Sequence, residues 1–147
     1  MRKLFADFDG SYLHDHNIGA IGVCLRDNVT NKTIYEYSEI TEAKDNIEAE
    51  WKAINHLVKK LTDPVLNKNY SVFVIRGDCK DVINGLVRKE VDPEYSMLFT
   101  EVMNHLMNLK SYYIKTLPSK SNSLAHSVCR QAVKKYKLSL IPIIDFE

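Results

Sequence analysis

Cysteine is scarce in this 147-residue sequence. Its three cysteines, Cys24, Cys79 and Cys129, are an odd number and show no C-x-x-C spacing. This pattern indicates neither a disulfide framework nor a zinc knuckle. We therefore expect three reduced thiols.

Long apolar runs are also missing from the sequence. The longest is a handful of residues, too short for a membrane span, and the opening residues MRKLFADFDGS do not form the apolar core of a signal peptide. We expect a cytoplasmic protein without a membrane partner. No repeat or Pro/Gly/Ser-rich linker divides the chain, and its length suits one domain better than two. We expect a single domain over residues 1–147.

The composition is that of a globular protein, with 45% hydrophobic and 27% charged residues and a net charge of +1. The charge is unevenly distributed. Between Val102 and Ile144 there is no acidic residue, and the basic residues there are Lys110, Lys115, Lys120, Arg130, Lys134, Lys135 and Lys137. This asymmetry fits a carboxylate-lined site beside a basic surface that follows phosphates. A solvated basic helix without a partner is the other interpretation.

Hydrophobic periodicity predicts an α/β fold. The predicted strands cover residues 3–8, 20–26, 32–40, 70–75 and 112–117; the predicted helices cover 45–61, 79–87, a segment opened by Pro93, and 122–136. This order predicts a mixed five-stranded sheet with helices on both faces. The first three strands would form an antiparallel meander and the last two would be parallel. Residues 138–147 form an apolar tail that we expect to pack on the domain or on a partner.

One glutamate stands on the apolar face of the first predicted helix. Glu50 is followed by Ile54 and Leu57 at helical spacing. A buried carboxylate needs a metal or a partner, because an unpaired buried charge is costly. Glu48 instead shares a polar face with Lys52, which fits a helix cap with an i,i+4 ion pair.

Two aspartates are predicted to join Glu50. Taken alone, Asp9 before Gly10 fits a turn and Asp78 fits a helix N-cap. In the predicted topology, however, the carboxyl ends of the first and fourth strands meet beside the first helix. The three acids would then converge, and such oxygen ligands suit Mg²⁺ or Mn²⁺. Asp7 points to the same side as Asp9 and is either a further acid of this cluster or a partner of neighbouring structure.

Four segments of the chain together resemble one family. They are Asp9-Gly10-Ser11 with the run 19–26, Ala49-Glu50-Trp51 with Ala53, Asp78 after the apolar run 72–75, and Asn122 followed by Ala125-His126. In this order they resemble motifs of the ribonuclease H type I family, over nearly the whole chain. The family's commoner last motif is Asn-x-x-Ala-Asp. The Asn-x-x-Ala-His form resembles a variant of a ribonuclease H-like subfamily related to reverse-transcriptase-associated domains.

The resemblance implies a ribonuclease H-like fold and a nuclease that hydrolyses the RNA strand of RNA/DNA hybrids. It implies two divalent ions, Mg²⁺ or Mn²⁺, whose catalytic ligands are Asp9, Glu50, Asp78 and His126. It also implies that Ser11 and Asn122 read 2′-hydroxyls, and that phosphates are contacted by Lys115, Lys120 and Arg130.

Two departures from the family pattern leave other functions open. His126 brings no negative charge, so we expect weaker binding of the second ion, unless it is only a surface histidine. Residues 115–120 lack the histidine that many members carry there. A catalytically weak or inactive nucleic-acid-binding module is therefore the first alternative, and a resolvase- or transposase-type DNA nuclease the second. The sequence does not indicate an oligomeric state.

Overall fold

A computed structural model of the chain describes residues 2–142. Its strands are β1 Lys3–Leu13, β2 Ile18–Asp27, β3 Thr33–Glu42, β4 Val72–Gly77 and β5 Tyr112–Thr116. They form one sheet in the order β3-β2-β1-β4-β5. Neighbours among β1, β2 and β3 are antiparallel, whereas β4 is parallel to both β1 and β5. The predicted mixed five-stranded sheet is confirmed.

The helices are α1 Asn46–Leu61, α2 Pro64–Asn69, α3 Lys80–Arg88, α4 Ser96–Leu106 and α5 Ser123–Ser139, with short 3-10 turns at Pro93–Tyr95 and Ser119–Ser121. At the start of α1 the Asp45 carboxylate accepts a hydrogen bond of 2.8 Å from the Glu48 backbone N–H. The Glu48 carboxylate lies 3.7 Å from the Lys52 Nζ, which confirms the predicted ion pair. Among residues 2–142, no helix has the length and apolar character needed to span a membrane.

Helices cover both faces of the sheet, as predicted. Helix α1 packs on β1 and β2, and α3 and α4 contact α1 on that side. This face holds the larger core, in which Phe8 and Trp51 are almost completely buried. Helix α5 packs on the other face, where Ala20 of β2 meets Cys129. The three cysteines are free thiols, as expected.

The first hairpin is longer than its hydrophobic pattern predicts. Strand β1 continues to Leu13, so Asp9, Gly10 and Ser11 lie inside the strand, and Gly22 lies inside β2. Gly22 is required by close packing, since an added Cβ would lie 2.5 Å from the Cys129 backbone nitrogen. At Gly10 the corresponding distance to the Glu50 backbone nitrogen is 2.6 Å. These glycines let α5 and α1 approach the sheet on either side of Asp9.

The predicted apolar tail is described only in part. Helix α5 extends to Ser139, and Leu138, Leu140 and Ile141 are exposed. Residues 143–147 lie outside the described residues. The expected packing of the tail stays a prediction.

Candidate metal centre

The structure brings Asp9, Glu50 and Asp78 together. Each offers a carboxylate oxygen, and these oxygens all lie within 4.8 Å of one another. Asp9 stands in β1, Glu50 in the second turn of α1, and Asp78 directly follows β4. Because β1 and β4 are parallel neighbours, the two aspartates reach the same end of the sheet. Asp9 is therefore a strand residue rather than a turn former, and the cap position of α3 belongs to Cys79 rather than to Asp78.

The site contains a buried carboxylate oxygen that the described chain leaves without a partner. Glu50 is 2% exposed and Asp9 is 5% exposed. The Gly10 backbone N–H donates a hydrogen bond of 3.0 Å to Glu50 Oε1. Within residues 2–142, Glu50 Oε2 is buried and has no hydrogen-bond partner. An orphaned oxygen beside two further carboxylates fits a hard divalent cation, which would satisfy all of them.

Burial also sets the protonation of the acids. Burial, and after it the charge of Asp9, raises the pKa of Glu50 far above the ordinary value of a glutamic acid. Burial likewise raises the pKa of Asp9, although its contacts with Glu50 and His126 act in the opposite direction. Without a cation, burial therefore disfavours ionisation of both acids together. A bound cation would reverse this effect, because it favours the ionised carboxylates.

His126 contacts the cluster from the first turn of α5. Its Nδ1 lies 3.0 Å from Asp9 Oδ2, and 59% of its side chain is exposed. The group of three convergent ligands contains no atom of His126. Its position is thus that of a hydrogen-bond partner of Asp9, and direct metal binding by the imidazole stays a prediction.

The question left open for Asp7 is answered by a residue that the sequence did not single out. Arg76 Nε and Nη2 donate hydrogen bonds of 2.7 and 2.9 Å to the two carboxylate oxygens of Asp7. Both oxygens of this 3% exposed residue are therefore engaged. Asp7 binds the neighbouring strand and does not join the metal ligands. The pairing becomes visible only once the register of β1 and β4 is known.

One predicted nucleic-acid contact requires correction. Asn122 is completely buried, and its side-chain amide donates a hydrogen bond of 2.9 Å to the Phe8 carbonyl. The residue ties the start of α5 to β1 and is not accessible to a 2′-hydroxyl. The spacing of residues in the motif does not reveal on which side of the backbone the amide lies.

The remaining predicted contacts are accessible. Ser11 is half-buried, with its hydroxyl 3.6 Å from Cys129 Sγ. Lys115 of β5, Lys120 of the second 3-10 turn and Arg130 of α5 are all exposed. They belong to the acid-free part of the sequence, so positive charge is available on the segment that carries His126.

Comparisons with known proteins agree with this geometry. The model of a family described as reverse transcriptase-like matches residues 7–132. No curated protein shows significant sequence similarity to the chain. Among solved structures, RNase H1 of the archaeon Halobacterium salinarum has a TM-score of 0.78 and 20% identity, with 90% of this chain and 98% of that chain covered.

Two further RNase H structures share the fold. LC11-RNase H1, isolated from compost and solved with an RNA/DNA hybrid, has a TM-score of 0.79 and 19% identity, with coverage of 91% of this chain and 99% of that chain. The N-terminal RNase H domain of Mycobacterium tuberculosis rv2228c has a TM-score of 0.81 and 13% identity, with coverage of 96% and 100%. The ribonuclease H-like fold implied by the sequence motifs is confirmed.

Proposed function

Because the chain belongs to the reverse transcriptase-like family and has a ribonuclease H-like fold, we propose that it hydrolyses the RNA strand of RNA/DNA hybrids. The observation that carries this proposal is the convergence of Asp9, Glu50 and Asp78 around an orphaned carboxylate oxygen. The substrate class is supported by LC11-RNase H1, whose solved complex contains an RNA/DNA hybrid.

Asp9, Glu50 and Asp78 would hold the divalent cations. Two ions, Mg²⁺ or Mn²⁺, would supply an activated water and neutralise charge on the leaving oxygen. The chain prepares the ligands: the Gly10 backbone N–H fixes Glu50 Oε1, and Asp9 Oδ2 is held by His126 Nδ1. His126 would also complete or assist the site of the second ion. Since neutral imidazole adds no negative charge, that site would be the weaker one.

The surroundings of the acids suit a polyanion with 2′-hydroxyls. Ser11 stands two residues after Asp9 on the same strand, where its hydroxyl is available for sugar contacts. Lys115, Lys120 and Arg130 are exposed cations for phosphates. Their positive charge compensates the repulsion between the acidic cluster and the nucleic-acid backbone.

Cleavage of labelled duplexes tests the proposal. RNA/DNA hybrid, RNA duplex and DNA duplex are incubated with the chain in Mg²⁺ and then in Mn²⁺. We expect selective cutting of the hybrid, stronger in Mn²⁺, and its loss in Asp9→Asn. Glu48→Gln is the matched control, because Glu48 lies on the same helix as Glu50 but pairs with Lys52. Preferential cutting of DNA duplex, or equal activity of Asp9→Asn, would contradict the proposal.

A second candidate function is hybrid binding without cleavage. It is favoured by His126, whose side chain contacts Asp9 but brings no negative charge at the position where the resemblance implies an acid. In that case the folded chain would bind the hybrid in Mg²⁺ and Mn²⁺ but would release no product. The same assay, combined with a binding measurement, separates the two functions.

A further inference from the structure

A cavity of about 370 Å³ lies between helix α5 and the turn that joins β1 to β2. We call it the turn cavity. One wall is formed by residues 12–16, and the other by His126, Arg130, Val133 and Lys137 of α5. Ser11 completes the lining. His126 contacts Asp9 directly. The cavity therefore opens immediately beside the candidate metal centre.

The lining of the turn cavity carries more positive than negative charge. Residues 126, 130, 133 and 137 recur at helical spacing, so one stripe of α5 faces the cavity. Arg130 and Lys137 supply permanent positive charges, and imidazoles are added by His14, His16 and His126. Asp15 is the single acid in the lining. Among residues 2–142, no carboxylate forms a salt bridge with Arg130 or Lys137.

The wall formed by the turn is held in place by specific contacts. The His16 ring packs edge-on against Tyr136 of α5, with 5.4 Å between ring centroids. The Tyr12 hydroxyl donates a hydrogen bond of 2.8 Å to Asn17 Oδ1. Asn17 itself has a φ of 53°, a left-handed conformation that asparagine tolerates in tight turns. The turn is thus packed against the helix, and the concave shape follows from these contacts.

The charge of the lining decides what the cavity can bind. The sequence His14-Asp15-His16 superficially resembles a metal-binding triplet, but these residues form no convergent ligand group among residues 2–142. A cation there would also be repelled by Arg130 and Lys137. An anion is attracted by both and accepts hydrogen bonds from guanidinium, ammonium and imidazole.

We propose that the turn cavity binds a phosphodiester of the same nucleic-acid strand that occupies the metal centre. His126 borders both places, because it lines the cavity and contacts Asp9, so a polyanionic strand leaving Asp9 passes directly into the cavity. Along α5, Arg130 lies about 6 Å and Lys137 about 16 Å from His126, at a rise of about 1.5 Å per residue. They reach phosphates that flank the scissile one. The inference rests on the proposed function for one premise, namely that the hybrid lies across the acidic cluster.

The test measures binding rather than cleavage. Kd for a fluorescent RNA/DNA hybrid is measured in the Asp9→Asn background, in which we expect no cleavage and which changes none of the residues that line the cavity. The test variant adds Arg130→Ala and Lys137→Ala. The matched control adds Lys134→Ala and Lys135→Ala, which remove the same charge from the same helix but do not line the cavity. We expect the test variant to lose about 10-fold or more in affinity, and the slope of log K against log salt to fall by about 2.

Neutral phosphate analogues then locate the contact. Single methylphosphonates are placed at successive positions of the cleaved RNA strand. We expect an analogue at one or two flanking positions to weaken binding to the Asp9→Asn protein, and to cause no further loss of affinity in the test variant. The proposal would be overturned if the test variant and the control lost equal affinity, or if the chain did not bind the hybrid. It would also be overturned if no analogue position lost its effect on affinity in the test variant. If the Arg130→Ala/Lys137→Ala chain without Asp9→Asn cuts and binds hybrid normally, the turn-cavity proposal fails while the nuclease proposal stands.

Discussion

Arg76 holds Asp7 with two hydrogen bonds across the pair of strands β1 and β4. Each partner stands two residues before a candidate metal ligand, Asp9 on β1 and Asp78 after β4. The Arg76 guanidinium also lies 4.2 Å above the Phe5 ring. The buried pair therefore fixes the two strand ends relative to each other at the point where their carboxylates must meet.

Breaking this pair on one side should be costly. Arg76→Met leaves the buried Asp7 carboxylate without its partner, and we expect the free energy of unfolding to fall by about 3–5 kcal/mol. The double variant Asp7→Leu/Arg76→Met removes both charges and should recover most of that loss. Urea denaturation of both variants measures the difference. A loss below about 1 kcal/mol in Arg76→Met would show that the pair does not hold the strands.

Glu50 should make the metal-free protein less stable as the pH rises. Its pKa is raised in the folded state by burial and by Asp9, so folding favours the protonated acid. The contribution of Glu50 to the free energy of unfolding is fully present below the pKa that this group has in the unfolded chain. It is lost as the pH rises from there toward the pKa of Glu50 in the folded state. Glu50→Gln removes this dependence and still accepts the Gly10 hydrogen bond.

In EDTA at pH 7–8 we expect Glu50→Gln to be more stable than the parent chain by about 1 kcal/mol or more. Mg²⁺ should stabilise the parent but not the variant. Urea denaturation between pH 5 and pH 8 checks both statements, with Glu48→Gln as the control. A parent stability that does not change over this range would contradict the expected titration.

His126 should support metal binding through its contact with Asp9. Loss of a side chain that orients a metal ligand typically costs about 10–100-fold in metal affinity. We therefore expect His126→Ala to weaken Mn²⁺ binding by about 10-fold or more, as measured by calorimetry. His16→Ala is the control, since His16 is exposed and packs against Tyr136 rather than Asp9. Equal Mn²⁺ affinity in both variants would leave His126 without a role at the centre.

The sequence predicts the acidic site because few topologies fit its order of elements. Parallel β1 and β4 bring Asp9 and Asp78 to one sheet end, and Glu50 is recognised by its place on an apolar helix face. The length of β1 is underestimated because its apolar pattern stops where polar functional residues begin, although the backbone remains extended. Functional residues thus interrupt the pattern by which strands are found.

Side-chain contacts between residues that are distant in the sequence cannot be predicted in this way. The Asp7–Arg76 pair depends on strand register, because a shift of one residue would move one of the two side chains to the opposite face of the sheet. The burial of Asn122 depends on how α5 sits against Phe8. The turn cavity likewise requires the packing of His16 on Tyr136, which no spacing of residues in the sequence reveals.

Gly22 should determine how closely α5 approaches the metal centre. An alanine Cβ at this position would lie 2.5 Å from the Cys129 backbone nitrogen and 2.6 Å from the Ala125 carbonyl oxygen, so helix backbone must move. We expect Gly22→Ala to lower the free energy of unfolding by about 1–3 kcal/mol. Because His126 moves with α5, its contact with Asp9 should weaken, and Mn²⁺ affinity should fall in the protein that remains folded. Gly85→Ala is the comparison, since its added Cβ would approach the Glu90 carbonyl oxygen only to 3.1 Å on a helix that carries none of these contacts. If Gly22→Ala binds Mn²⁺ like the parent, close packing of α5 on β2 does not control the geometry of the metal centre.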